Sequence, residues 1–166
     1  VALSGDGGDE LFGGYSRYFR VRDMYSKFQR IPRPLRHAAG GLLRASTALP
    51  GRGAWRGKVG KVGELLSVDY QAEFYRQFVS YWPDPGSVVK GGAEIPSLFQ
   101  QPMEGSIFEA MMKLDTQTYL PDDILVKVDR AAMAVSLETR VPILDHRVYE
   151  FAWRLPFQYK VRGATG

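Results

Sequence analysis

Seven residues near the start of the chain, Ser4-Gly5-Asp6-Gly7-Gly8-Asp9-Glu10, set three carboxylates among glycines. The apolar Val1-Ala2-Leu3 precedes them, and an amphipathic stretch beginning at Asp9 follows. The pattern predicts a strand, a tight glycine turn and a helix, since glycine alone takes positive φ without strain. A turn of that kind aims backbone N–H groups at an anion. Its spacing is neither the dinucleotide fingerprint nor the Lys-Ser/Thr phosphate loop. The carboxylates repel an anionic ligand unless a cation lies between. Mg²⁺ meets that need, because it takes one or two carboxylates together with substrate phosphates. Two readings stand: a Mg²⁺–nucleotide or acyl-phosphate site, or an acidic turn that only caps a helix.

A second set of charged residues, Lys127, Asp129, Arg130, Glu138 and Arg140, lies in an otherwise apolar region. A buried guanidinium needs a carboxylate, which predicts that Asp129 or Glu138 pairs with Arg130 or Arg140 inside the scaffold. The alternative is that one of the arginines grips a substrate α-carboxylate bidentately. With no cysteine, the chain has no thiolate nucleophile, disulfide or zinc–cysteine site. His37 and His146 stand apart, without a metal-binding pattern.

These groups need elements to hold them. The apolar residues Leu11, Phe12, Tyr15, Tyr18 and Phe19 predict one helix from Asp9 toward Gln29, weakened at Gly13-Gly14 and ended by Pro32 and Pro34. Residues 32–63 are rich in Pro, Gly and Arg and read as a basic insertion or linker, with a short helical patch near 37–44. Ser67 is the expected N-cap of a helix carrying Tyr70, Phe74, Phe78 and Trp82, stopped by Pro83 and Pro85, with a loop over 83–105. Ser106-Ile107-Phe108-Glu109 is a capping box for a helix running to about Tyr119. Pro121 opens another helix, with Asp122 and Asp123 in its first turn and Ile124, Leu125, Val128, Ala131, Ala132 and Val135 on its apolar face. Val141-Pro142 breaks it, and Asp145 caps a last helix that begins near His146. Trp82, Trp153 and the helically spaced tyrosines are core candidates.

The 166 residues suffice for one compact domain, and 45% hydrophobic with 24% charged residues excludes a disordered chain. No apolar run reaches the length of a bilayer span. A reducing, cytoplasmic setting fits, and no signal peptide is visible at the start. Charge is uneven: −3 over residues 1–16, +11 over 17–61 and −4 over 62–166. The basic stretch invites a nucleic-acid reading but lacks the patterns that read bases, so a solvated linker or a surface for an acidic partner is preferred. The chain opens without Met and closes on Arg162-Gly163-Ala164-Thr165-Gly166, and it reads as a piece of a larger protein.

The run from Ser4 through Asp9 and Glu10 to Leu11-Phe12-Gly13-Gly14-Tyr15 resembles a signature of the glutamine-hydrolysing asparagine synthetases. A second resemblance covers Leu120 to Arg130 and continues through Ser136-Leu137-Glu138-Thr139-Arg140-Val141-Pro142 to Leu144-Asp145-His146-Arg147. The likeness is weak over residues 60–120 and nearly absent in the basic stretch.

The resemblance implies the distal part of a synthetase domain, a mainly helical fragment of an α/β domain of the ATP pyrophosphatase (PP-loop) type whose first residues are a strand of a parallel sheet. It implies ATP and Mg²⁺, adenylation of the aspartate side-chain carboxylate, and displacement of AMP by ammonia released from glutamine. Asp9 corresponds to the Mg²⁺-binding aspartate, and Ser4, Gly5, Asp6 and Gly7 to contacts with ATP or the intermediate. Asp6 matches the acid proposed to accept a proton from ammonia. Many family members carry Glu there, and Asp sets the carboxylate about 1.5 Å farther back. The glutaminase domain, the Ser-Gly-Gly-x-Asp-Ser pyrophosphate loop and an active-site lysine are absent from these residues, so the fragment alone is expected to be inactive. Faces meant for the missing half make homodimerisation or aggregation expected. The other classes in view are a relative that adenylates another carboxylate (a sugar amidotransferase, β-lactam-forming or peptide-cyclising enzyme) and a non-enzymatic basic binding module.

Overall fold

The computed structural model describes residues 1–48, 55–82, 86, 88–92 and 96–163. Two compact units are present where the length predicts one domain: Val1–Arg20 with Gly105–Gly166, and Val21–Glu104.

The first unit is mainly helical around a small parallel sheet. Its strands β1 (Ala2–Leu3) and β2 (Thr139–Arg140) pair Ala2 with Thr139 and Leu3 with Arg140. β1 leads through the glycine turn into α1 (Gly8–Phe12). The single helix expected from Asp9 to Gln29 is broken: α1 stops at Gly13, and α2 (Ser16–Gln29) starts afresh, its first residues in this unit. The expected capping box holds. Ser106 Oγ accepts from the Glu109 amide, and Glu109 returns a bond from the Ser106 amide, at the head of α6 (Ile107–Gln117). α6 is the core of the unit, with Phe108, Met111, Met112 and Leu114 essentially inaccessible and Leu11 and Tyr18 buried. Phe108 meets the rings of Tyr18, Phe19 and Phe157 edge-on at 5.0–5.3 Å.

Beyond α6 the helix expected from Pro121 begins as a π-turn, Leu120–Leu125, and becomes regular in α7 (Val126–Met133). Pro121 has no N–H to give to the preceding turn, which is a direct cause for the wider winding. The apolar face expected on this helix is only partly covered: Leu120 and Ala132 are buried, whereas Val135 is 73% exposed. Ser136 takes φ 57, a left-handed conformation unusual for a residue with a Cβ, and the Leu137 amide reaches back to the Ala132 carbonyl at 2.9 Å. That turn delivers the chain into β2. A 3₁₀ turn (Pro142–Leu144), α8 (His146–Arg154) and α9 (Phe157–Lys160) complete the unit. Asp145 caps α8 through the Arg147 amide, as expected.

In the second unit the basic stretch holds more helix than its composition predicts. Instead of a short helical patch, it forms two helices, α3 (Arg33–Ala48) and α4 (Trp55–Ser67), with Pro34 accommodated in the first turn of α3. The helices touch through glycines. A Cβ on Gly40 would stand 2.7 Å from the Gly63 carbonyl oxygen, and one on Gly63 would stand 2.9 Å from that of Gly40. Ser67 ends α4 rather than capping the next helix; α5 (Gln71–Val79) follows Tyr70. Phe74 and Tyr75 are buried here, with Tyr25 and Phe28 edge-on to Phe74. Trp82, expected in the core, is 63% exposed because α5 ends three residues before it. The expected loop contains a 3₁₀ turn, Leu98–Gln100; Pro83 and Pro85 lie outside the described residues.

Among the described residues no helix is long and apolar enough to cross a membrane.

Candidate functional site

The glycine turn is built on the sheet. The Ala2 amide donates to the Glu138 carbonyl at 2.8 Å and the Ser4 amide to the Arg140 carbonyl at 2.9 Å. Ser4 therefore leaves the ladder beside Arg140, and the chain reverses through Gly5 to Gly8. Gly7 makes the reversal with φ 90, and Leu144 fills the space where its Cβ would be. Ile143 covers Gly8, whose hypothetical Cβ would meet its Cδ1 at 3.6 Å. The turn thus has one face packed on the Pro142–Leu144 segment. Its other face is open at Gly5, where an added Cβ would meet nothing within 4 Å.

Within the turn the Ser4 hydroxyl donates to the Asp6 carboxylate, and the Asp6 amide points back at Ser4 Oγ at 3.4 Å. Asp6 is half-buried and its orientation is fixed by that reciprocal pair. Asp9 differs: its side chain is exposed and makes no hydrogen bond or ion pair among the described residues. It lies against Gly14, where any Cβ would collide with its Oδ1, while the Gly13 and Gly14 amides both bond the Asp9 carbonyl at 2.8 and 3.1 Å. The Gly13-Gly14 break in the helix accordingly leaves room for a carboxylate.

Beneath this surface lies a buried network that sequence reading missed. Glu10 is 1% exposed and accepts from the Tyr15 hydroxyl at 2.7 Å. Burial raises the Glu10 carboxyl above its ordinary range and raises the Tyr15 phenol as well. Asp115, 1% exposed on α6, takes Arg17 Nη2 and the Tyr18 hydroxyl, each at 2.6 Å. The Arg17 guanidinium lies 4.1 Å from the centre of the Tyr15 ring and 4.7 Å from that of Tyr119. Asp115, the sole acid between Ala110 and Thr116 in a stretch that is apolar apart from Lys113, was a visible signal. Glu10 was hidden in the acidic motif, because nothing local distinguishes its buried position from the exposed one of Asp9.

The expected scaffold pairs come out differently. Glu138 and Arg140 do pair, but both side chains are more than half exposed, so the pair lies at the surface of this chain. Asp129 and Arg130, also exposed, have no ion pair among the described residues. The register of the sheet brings Arg140 beside Leu3 and Ser4 and Glu138 beside Ala2, whereas Asp129 and Arg130 remain on α7. No cluster of three metal-ligating side chains occurs among the described residues. Asp9 is the exposed carboxylate of the turn without a hydrogen bond or ion pair among the described residues, the type of donor that Mg²⁺ takes together with phosphates and water.

The asparagine synthase family model spans residues 1–166. The chain is 32% identical over 181 aligned residues to an asparagine synthetase [glutamine-hydrolyzing] 1 of Bacillus subtilis (strain 168), covering 99% of this chain and 26% of that protein. It is 34% identical over 177 aligned residues to a putative asparagine synthetase [glutamine-hydrolyzing] of Mycobacterium tuberculosis (strain ATCC 25618 / H37Rv), covering 99% and 25%. A second Bacillus subtilis protein, asparagine synthetase [glutamine-hydrolyzing] 3, is 26% identical over 162 aligned residues, covering 97% of this chain and 21% of that protein. The chain spans about a quarter of the length of the curated relatives it matches. No solved structure matches it. With the family model matched from end to end over the two motifs that the parallel strands join, the chain belongs to the asparagine synthase family.

Proposed function

We propose that this chain is the distal part of a synthetase domain that uses ATP to adenylate the side-chain carboxylate of aspartate and ammonia from glutamine to form asparagine, AMP and pyrophosphate. The observation that carries the reading is the β1–β2 pairing, which joins the glycine turn to the Glu138–Arg140 segment, both of them motifs resembling the family.

In this reading the open face at Gly5 receives the nucleotide side of the intermediate, with Ser4, Gly5, Asp6 and Gly7 in contact. A carboxylate oxygen of aspartate attacks the α-phosphorus, the bond to the bridging oxygen breaks, and pyrophosphate leaves. Ammonia then attacks the acyl carbon, and its proton passes to the Asp6 carboxylate as AMP departs. The Ser4 hydroxyl orients Asp6 for that transfer. Mg²⁺, when bound, neutralises phosphate charge as it develops, and Asp9 would hold it. Glu10, Tyr15 and Arg17 keep the segment carrying Asp9 rigid.

The same proposal assigns the rest of an α/β domain of the pyrophosphatase type, a pyrophosphate loop and a glutaminase domain to the parent protein, in a cytoplasmic setting, and makes the 166-residue chain inactive alone. The test is pyrophosphate release by the parent protein with Mg-ATP, glutamine or ammonia, and a panel of carboxylates. Release dependent on aspartate with asparagine as product is expected. Release with another carboxylate and none with aspartate overturns the substrate assignment.

A further inference from the structure

The second unit holds a cationic cavity that the synthetase reading leaves unused. A cavity of about 300 Å³ opens at the N-terminal end of α3, lined by Ile31, Pro32, Arg33, Arg36, Asp69 and Tyr70 among others. One carboxylate, Asp69, faces three basic side chains. Arg33 takes it bidentately, Nε to Oδ1 at 2.7 Å and Nη2 to Oδ2 at 2.6 Å. His37 Nε2 lies 2.9 Å from Oδ1. Bonding to Arg33 first, and to His37, holds the Asp69 carboxyl down at about 2, so it stays ionised and its charge is spent on Arg33.

Arg36 is left short. Its residue is 4% exposed, its contact with Asp69 is a long 3.4 Å, and its Nε has no hydrogen-bond partner among the described residues. A buried guanidinium with so little compensation is costly unless an anion joins it. The cavity wall it lines is where such an anion has room. Arg33 adds N–H donors not used on Asp69, and the first turn of α3 adds the positive end of the helix dipole. Two guanidiniums on one cavity suit the several oxygens of a tetrahedral oxyanion better than a single carboxylate. Ile31 and Pro32 offer an apolar wall for a small organic substituent.

We propose that this cavity binds a phosphate group, free or as a small phosphate monoester, between Arg33 and Arg36. The test is titration calorimetry of the full-length protein with inorganic phosphate and, separately, glycerol 3-phosphate, at constant ionic strength in chloride. Saturable binding is expected that weakens at least tenfold in Arg33→Gln and in Arg36→Gln, with thermal unfolding and pyrophosphate release of each variant measured alongside so that a loss of folding is read separately from a loss of the site. Tighter glycerol 3-phosphate supports a monoester, and tighter inorganic phosphate supports the free ion. No saturable binding, or Arg33→Gln binding phosphate as tightly as the parent, overturns the proposal; binding that requires added Mg²⁺ and is abolished by Asp9→Asn overturns it too and assigns the phosphate to the glycine turn.

Discussion

The amide of Ser4 donates to the carbonyl of Arg140 at 2.9 Å, so the first turn of the chain hangs from a strand near its other end. That bond makes the two motifs one structure. Whatever the turn binds, its position is set by the β2 register, and that register depends on the left-handed turn at Ser136.

Replacing the two turn aspartates should separate the two halves of the reaction. In the parent protein Asp9→Asn should abolish pyrophosphate release, because the metal loses its carboxylate. Asp6→Asn should slow asparagine formation by about 10²-fold or more while aspartate-dependent ATP–pyrophosphate exchange persists. Equal loss of both activities in Asp6→Asn would remove its role as proton acceptor.

Gly14→Ala should raise the Mg²⁺ concentration needed for half-maximal activity, since the new methyl group occupies the place of Asp9 Oδ1. Magnesium titration of pyrophosphate release measures it. An unchanged requirement would show that the carboxylate relocates without consequence.

Asp115→Ala should destabilise the protein by about 3 kcal/mol, the lower end for a broken buried pair, because Arg17 stays 27% exposed and regains some water. Tyr18→Phe should cost about 1 kcal/mol, the ordinary loss of one hydrogen bond. Urea denaturation reads both values.

Glu10 predicts a pH dependence. Burial raises its carboxyl above 4.5, so the folded state keeps the proton to higher pH than the unfolded chain does. The stabilisation is complete below the unfolded value and declines as pH rises through the folded one. Glu10→Gln keeps an oxygen for the Tyr15 hydroxyl and carries no charge. Its stability relative to the parent should therefore increase from pH 4 to pH 7.5, measured by denaturation at each pH. A constant difference would contradict the buried, proton-holding role.

Gly63→Val should loosen the second unit by about 1–3 kcal/mol, because α3 and α4 approach too closely there for a larger side chain. Limited proteolysis within 21–104 should detect it, and full resistance would refute the close contact.

Local chemistry was legible in the sequence wherever neighbours in the chain decide the structure. The capping box at Ser106 and Glu109, the cap at Asp145 and the turn at Gly7 each follow from a side chain or backbone angle acting over a few residues. The glycines of residues 32–63 misled because a glycine reads alike in a linker and at a helix crossing; only the presence of a facing helix separates the two. Trp82 and the Val135 face misled for the opposite reason, since an apolar period says what could be buried and not whether anything covers it.

By itself, then, the sequence determined the acidic glycine turn, its strand and helix, and the family to which both motifs belong. The tertiary structure decided which acid of that turn is open and which is buried: Asp9 faces out beside Gly14, while Glu10, the next residue, turns inward to Tyr15. Consecutive helical residues differ in direction by about a third of a turn. Burial on one side and solvent on the other give two chemically equal carboxylates unequal environments, and only the packing of α1 fixes which side is which.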